Sequence, residues 1–332
     1  MPAEEKMRLV IIITLIYIFS SSLRAEKLTV YTYDSFVSEW GPGPIVEKIF
    51  EDKYEIDLQF IAVDSAATLL NKIILEGENT KADLVLGLDM NLFNAAEKSE
   101  LFVSHNLKNI NNKLTLPLNW ESDIFVPYNY GYFAFVYNNK TLKNPPLSME
   151  DLINKTDARI VIQDPRTSTP GLGLLTWMKA LYGDSAQNKW SQLNKKIIAV
   201  TKGWTDAYYN FFMAGEADIV LSYSTSPAAH IMFEENYDIS ASTFKEGNYI
   251  SVEFAGILNS SKNKQMANKF LDFMISDDFQ KVIPGTNIMY PVTDVEMPEA
   301  FNKLEIPKLL QLDPKDINDN KDAWINEWLN AS

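Results

Sequence analysis

The residues with the most pointed chemistry stand near the middle of the chain, in Gln163-Asp164-Pro165-Arg166-Thr167-Ser168-Thr169-Pro170-Gly171-Leu172-Gly173. Residues 159–163 read as a buried strand, and a polar turn follows. A helix is expected from Pro170, because the N–H that proline lacks would have no partner in a first helical turn. Ser168 and Thr169 then stand where side-chain hydroxyls and free backbone N–H groups meet the positive end of a helix dipole. Such a terminus receives a hydroxyl, a carboxylate or a phosphate. The same residue types also cap helices that hold no ligand, so their meaning depends on what the fold brings to them.

Other strand ends supply the rest of a site. Trp204 and Tyr223 offer flat π-faces, over which a cation or an electron-poor ring gains ~0.5–2 kcal/mol per contact when desolvated. Asp64 adds a carboxylate that accepts N–H bonds and balances a cation. Each of these residues alone is equally a core or capping residue. Jointly they describe a site for a flat heteroaromatic cation with a polar tail. Enzyme signatures are thin. The two histidines, His105 and His230, form no metal set, and Gly41-Pro42-Gly43 and Gly171-Leu172-Gly173 lack the third glycine of a dinucleotide fingerprint and the lysine of a P-loop. Ser261-Lys262-Asn263-Lys264 matches a Ser-x-x-Lys pattern with no Lys-Thr-Gly downstream, which leaves an exported hydrolase using Ser261 and Lys264 as the rival from another class. The expectation is no catalytic residues, no metal and no cofactor.

The elements that position these residues follow a βαβαβα order. Lys27 to Tyr33, Leu58 to Val63 and Asp83 to Leu88 read as strands. A helix opens near Pro44 with Ile45, Val46, Ile49 and Phe50 as its apolar stripe, and another follows Asp64-Ser65 and ends at Gly77. That order implies a parallel sheet with helices on both faces. Phe125 to Asn138 is an aromatic strand longer than most, as a strand crossing between two lobes would be. Ser148 to Asp151 is a capping box, Thr205 is expected to cap a helix that ends at Gly215, and Tyr249 to Leu258 reads as the return crossing. Two α/β lobes joined by two crossing strands form a hinged cleft, with ligand-contacting residues at the carboxyl ends of strands. The lobes are expected at residues 26–130 and 131–250, with residues 251–332 forming the return crossing and C-terminal helices packed on the first lobe.

Length and composition agree with two lobes: 332 residues, 46% hydrophobic and 22% charged. Lys6 and Arg8 precede an apolar run from Leu9 to Phe19, then Ser20-Ser21-Ser22 and a cleavage site after Ala25. The run is shorter than the ~20 residues of a membrane span and reads as a signal peptide, residues 1–25. No cysteine is present, which excludes disulfides, thiolate metal sites and acylated-cysteine anchoring. A bacterial periplasm is the simplest home. The formal charge is −14, and removal of Lys6, Arg8, Arg24, Glu4 and Glu5 makes the remainder one unit more acidic. That balance disfavours nucleic acid and anionic membranes. Arg159 and Arg166 are the arginines left, too few for a dedicated polyanion clamp.

The chain resembles the periplasmic thiamine-binding proteins of ABC importers. The stretches that carry the resemblance are 31–36 (YTYDSF), 40–44 (WGPGP), 81–89 (KADLVLGLD), 130–137 (YGYFAFVY), 163–173, 201–204 (TKGW), 221–223 with 225–228 (LSY, TSPA) and 289–292 (MYPV). They run in order over nearly the whole mature chain. The resemblance implies a type II periplasmic-binding fold, α/β and two-lobed with two crossing strands as hinge. It implies a monomer that closes over thiamine or thiamine phosphates and delivers them to a membrane permease. Carried over by position, Trp204 and Tyr223 are aromatic ligand contacts, Ser168 the contact to the hydroxyethyl or phosphate tail, and Tyr33 and Trp40 cleft residues, with Thr169 and Asp64 beside them. Two positions depart from the family pattern: Ala229 stands where an aromatic follows the Ser-Pro-Ala motif, and Ile288 where a tryptophan precedes Met-Tyr-Pro. Either another residue fills that gap or the ligand is a related pyrimidine or thiazole. Tyr208-Tyr209 resembles the adjacent tyrosines of periplasmic ferric-iron binders, which keeps ferric iron or another small cation as the alternative ligand.

Overall fold

The computed structural model describes residues 26–331; the signal peptide expected over residues 1–25 lies outside them. Strands β1 (Glu26–Tyr33), β2 (Ile56–Val63) and β3 (Leu84–Asp89) are parallel neighbours in the order β2-β1-β3. Every residue of β3 is buried, as in strands covered by helices on both faces. The helix Gly43–Tyr54, with proline in its first turn, buries Val46 and Phe50. Ile45, which the sequence places in the same stripe, is 45% exposed, because successive helical residues diverge by about 100° around the axis. The Ser65 hydroxyl accepts the Thr68 N–H at 3.2 Å and starts the helix Ala66–Glu76. That leaves Asp64 free of capping.

A second parallel set, β8 (Ile219–Tyr223), β6 (Ile160–Gln163) and β7 (Ile197–Thr201), forms the other end of the sheet. Two long antiparallel strands join the sets, β5 (Phe125–Asn138) and β10 (Asn248–Leu258), with the short β4 (Phe102–Val103) and β9 (Ile239–Ala241) along them. The full order is β2-β1-β3-β10-β5-β8-β6-β7. β5 pairs with β10 up to Tyr132 and with β8 from Phe133 onward, so one continuous strand passes from one half of the molecule to the other. The architecture is the two-lobed type II arrangement expected from the sequence, with helices on both faces of each half.

The Ser148 hydroxyl accepts the Asp151 N–H at 3.0 Å, the capping box expected there. Thr205 does not cap: residues Asp206–Met213 form a π-helix whose preceding residue lends it no side-chain hydrogen bond. The C-terminal helix Pro314–Asn330 also departs from expectation, since it touches both the 90–98 segment of the first half and the helices Thr169–Tyr182 and Ala186–Leu193 of the second. Lys98 pairs with Asp319 at 3.1 Å on one side, and Lys179 with Glu327 on the other. Its buried Ile317 and Trp328 are spaced by three turns of helix, a stripe long enough to meet both neighbours.

Candidate ligand-binding site

A cavity of about 540 Å³ lies between the two halves, and Tyr33, Trp40, Asp64, Ser168, Thr169, Trp204 and Tyr223 all line it. Its size falls in the ~300–1,000 Å³ range of small-molecule sites. The residues selected from strand ends, together with Trp40 from the resemblance, line one cavity, although their nearest sequence separation across the cleft exceeds a hundred residues.

The wall from the second half is an aromatic column. Trp204 stacks on Tyr208 with ring centroids 4.8 Å apart, and Tyr208 meets His230 edge to edge, the two rings nearly coplanar with centroids 6.0 Å apart. The column is held at each level. The Trp204 indole N–H donates to Ser222 Oγ at 2.7 Å, and Ser222 exchanges a hydrogen bond with Ser226 at 2.8 Å. Tyr208 Oη lies 2.8 Å from His230 Nε2, and His230 Nδ1 lies 2.9 Å from Glu234. π-Helical turns are often found at functional sites, and here one carries Tyr208 under the indole while Tyr209 is left half-exposed. The two tyrosines thus do different jobs, and only Tyr208 is core. Tyr223, at the end of β8, packs its ring against Phe133 at 5.2 Å, and its hydroxyl titrates well above the usual phenol range because it is buried near Glu253 and Asp89.

The opposite wall is built around a carboxylate that sequence reasoning missed. Glu253 on β10 is 9% exposed and accepts from Tyr33 Oη at 2.8 Å, from Asn129 Nδ2 at 2.8 Å and from Tyr128 Oη. Burial raises its pKa, and the three hydrogen bonds, Tyr128's foremost, hold that rise in check. Tyr33 is seated against Gly87, whose φ of 101° suits glycine and whose missing Cβ would lie 2.4 Å from the Tyr33 ring. The signal for Glu253 is its being the lone charged residue in the largely apolar run Tyr249 to Leu258.

At the tail end, the helix begins one residue earlier than expected, at Thr169, with Ser168 as its N-cap residue. The Ser168 side chain makes no capping hydrogen bond, so its hydroxyl faces the cavity uncommitted to the helix. Gly171 allows the tight turn: a Cβ there would stand 2.5 Å from the Gln163 carbonyl oxygen. Thr169 Oγ1 donates across the cleft to Asp89 Oδ2 at 3.0 Å, and Asp89 also accepts the Asn91 N–H at 2.8 Å. Burial pushes the Asp89 carboxyl up to about 6. Arg166 folds back on Asp164, with Nε at 2.9 and 3.1 Å from its two oxygens, and is not among the lining residues.

At the mouth, Asp64 pairs with Lys202 from the other half, and Trp40 is 55% exposed. Asp34, Asp64, Asp206, Glu234 and Glu253 line the cavity, and among the described residues no lysine or arginine does. A site of this charge favours cations. Ala229 and Ile288 line it too, and Ile288 holds φ 55°, a left-handed backbone that a β-branched side chain tolerates poorly. Ser261 and Lys264 stand apart from it: Ser261 Oγ donates to Asp83 at 2.7 Å and accepts the Asn263 N–H at 3.0 Å, while Lys264 donates to the backbone carbonyls of Asn259 and Ser261 at 2.6 and 3.0 Å. That serine and lysine close a turn.

The family profile of bacterial extracellular solute-binding proteins matches residues 79–319. The chain belongs to this family. As an extracellular solute-binding protein it has a binding and transport role and is not an enzyme. It is 48% identical over 306 residues, 92% of this chain and 93% of the relative, to the thiamine-binding periplasmic protein of Escherichia coli K12. It is 40% identical to the thiamine-binding periplasmic protein of Haemophilus influenzae, covering 97% of each chain. Among solved structures, a periplasmic thiamin binding protein superposes with a TM-score of 0.90 at 48% identity, covering 94% of this solute-binding protein and 98% of that chain. A ferric binding protein from Campylobacter jejuni superposes at 0.78 with 20% identity over 92% and 99% of the two chains, a likeness of fold alone. Among the described residues, no cluster of three or more histidines and carboxylates is arranged to hold a metal ion.

Proposed function

We propose that this solute-binding protein captures thiamine between its two halves in the periplasm and delivers it, as a monomer, to the permease of an ABC importer. The observation that carries the reading is the lining of the cleft: aromatic rings and five carboxylates with no lysine or arginine among the described lining residues. Thiamine is a cation made of two flat heteroaromatic rings with a hydroxyethyl tail. Its rings lie against Trp204 and Tyr223, where a desolvated cation–π contact is worth up to ~2 kcal/mol. Its N–H edge meets Asp64, with Tyr33 and Trp40 as further walls, and its tail is seated at Ser168 and Thr169. Thiamine phosphates enter the same frame with their phosphate at the helix start. The thiamine-binding relatives, which match across nearly their full length, support the same ligand.

The first lobe is assigned to residues 26–130 and the second to 131–250, with the remainder returning to the first and its last helix bridging both. Closure of the lobes on the ligand is the state that the importer reads. Native mass spectrometry of the protein mixed with thiamine, its mono- and pyrophosphate, and ferric ion tests the reading. The expected result is a one-to-one complex with thiamine; retention of iron with no thiamine compound overturns it.

A further inference from the structure

The helix Ser226–Glu234 shows one face to the cavity, formed by Ser226, Ala229, His230 and Phe233. This is the i, i+3, i+4, i+7 spacing of a single helical stripe. The deeper members of the stripe have partners, Ser226 in Ser222 and His230 in Tyr208. Phe233 differs. It is 68% exposed although it lines the cavity, and among the described residues it enters no aromatic pair. One turn below it stands Ala229, which gives the wall only a methyl group. The cleft is thus well walled at its base, by Trp204 stacked on Tyr208 and His230 bonded at the Tyr208 edge, and thinly walled one turn further out.

We infer that Phe233 is the outer aromatic wall of the site, its ring folding down over the gap at Ala229 to cover the exposed face of a bound flat cation. The inference rests on the proposed thiamine site and adds to it a specificity-determining residue. A phenylalanine ring reaches a new position by changing between staggered rotamers, which an exposed and unpartnered side chain does readily. Its negative π-face suits a cationic ring as the carboxylates around it do. Trp40, 55% exposed on the facing rim, meets the same ligand from the first half. Tyr237 provides an internal control, since it is 65% exposed and lies outside the lining.

Titration calorimetry with thiamine tests this on wild-type protein and on three variants. Phe233→Ala is expected to weaken binding roughly tenfold, about the worth of one aromatic contact. Phe233→Trp is expected to stay within about twofold of wild type, and Tyr237→Ala to be unchanged. Thermal melting of each variant checks folding, which substitution at so exposed a position leaves intact. Unchanged affinity in Phe233→Ala, a loss in Phe233→Trp equal to that in Phe233→Ala, or an equal loss in Tyr237→Ala overturns the inference while leaving the thiamine site in place. Failure of the wild-type protein to bind thiamine removes both.

Discussion

The base and the mouth of the cleft are built in different ways. At the base, the aromatic rings rest on one another and the Glu253 carboxylate is shared by Tyr33, Tyr128 and Asn129. Those groups are bound to partners before any ligand arrives. At the mouth, Trp40, Tyr209 and Phe233 are more than half exposed, and the carboxylate there, Asp64, is tied to a solvated lysine. Preorganised groups hold a ligand without a further ordering cost, whereas exposed rings must be ordered by it. The base is therefore ordered before ligand, while the mouth holds groups that a ligand would have to order.

The sharpest way to break this contrast is to remove Glu253. Glu253→Ala removes the acceptor shared by Tyr128, Asn129 and Tyr33; Tyr33 keeps Asn287 Oδ1 at 3.4 Å and Tyr128 keeps Tyr33 at 3.2 Å, while the buried Asn129 amide loses its acceptor, so urea denaturation is expected to show a loss of up to about 3 kcal/mol. A loss no larger than that of an exposed-site substitution would mean the network is ornamental. Next comes Asp89, whose carboxyl is raised to about 6 by burial. A carboxyl raised on folding adds stability that is fully present below its unfolded value of about 3.9 and is lost as pH rises through its folded value. Wild-type stability should thus fall between pH 4 and pH 6 relative to Asp89→Asn, with the gap approaching roughly 3 kcal/mol at pH 7. Parallel stability profiles for the two proteins would contradict the buried setting of this group. The smallest effect belongs to the mouth. Lys202→Ala is expected to leave the urea midpoint unchanged, because an exposed ion pair is screened and mobile. A clear shift in midpoint would show that the rim, like the base, is structurally committed.

Much of the base was legible because strand ends mark themselves. Trp204, Tyr223 and Ser168 each follow an apolar run, and in α/β sheets the residues just beyond such runs face one crevice. From sequence Ser168 is open to capping or to ligand contact, and in the fold its side chain makes no capping bond. Glu253 escaped notice because its partners Tyr128 and Tyr33 are 125 and 220 residues away, and a lone acid within a strand carries no local sign of being satisfied. Asp64 was chosen for its charge, but its pairing with Lys202, 138 residues on, could be seen only in three dimensions. Thr205 was misread as a cap because an eight-residue window does not distinguish a π-helix from an α-helix by periodicity. The helical pattern around Tyr208 and Tyr209 makes at least one of them core without saying which, and the fold buries Tyr208 beneath the indole and turns Tyr209 outward.

The central claim is that the stacked column at the base holds a flat organic cation. Titration calorimetry of wild-type protein and Trp204→Ala with thiamine tests it most directly. The account predicts one thiamine per chain for wild type and a loss of about a hundredfold or more in Trp204→Ala, the scale of a central aromatic anchor. Absence of binding by wild type, or equal affinity in the two proteins, would contradict it.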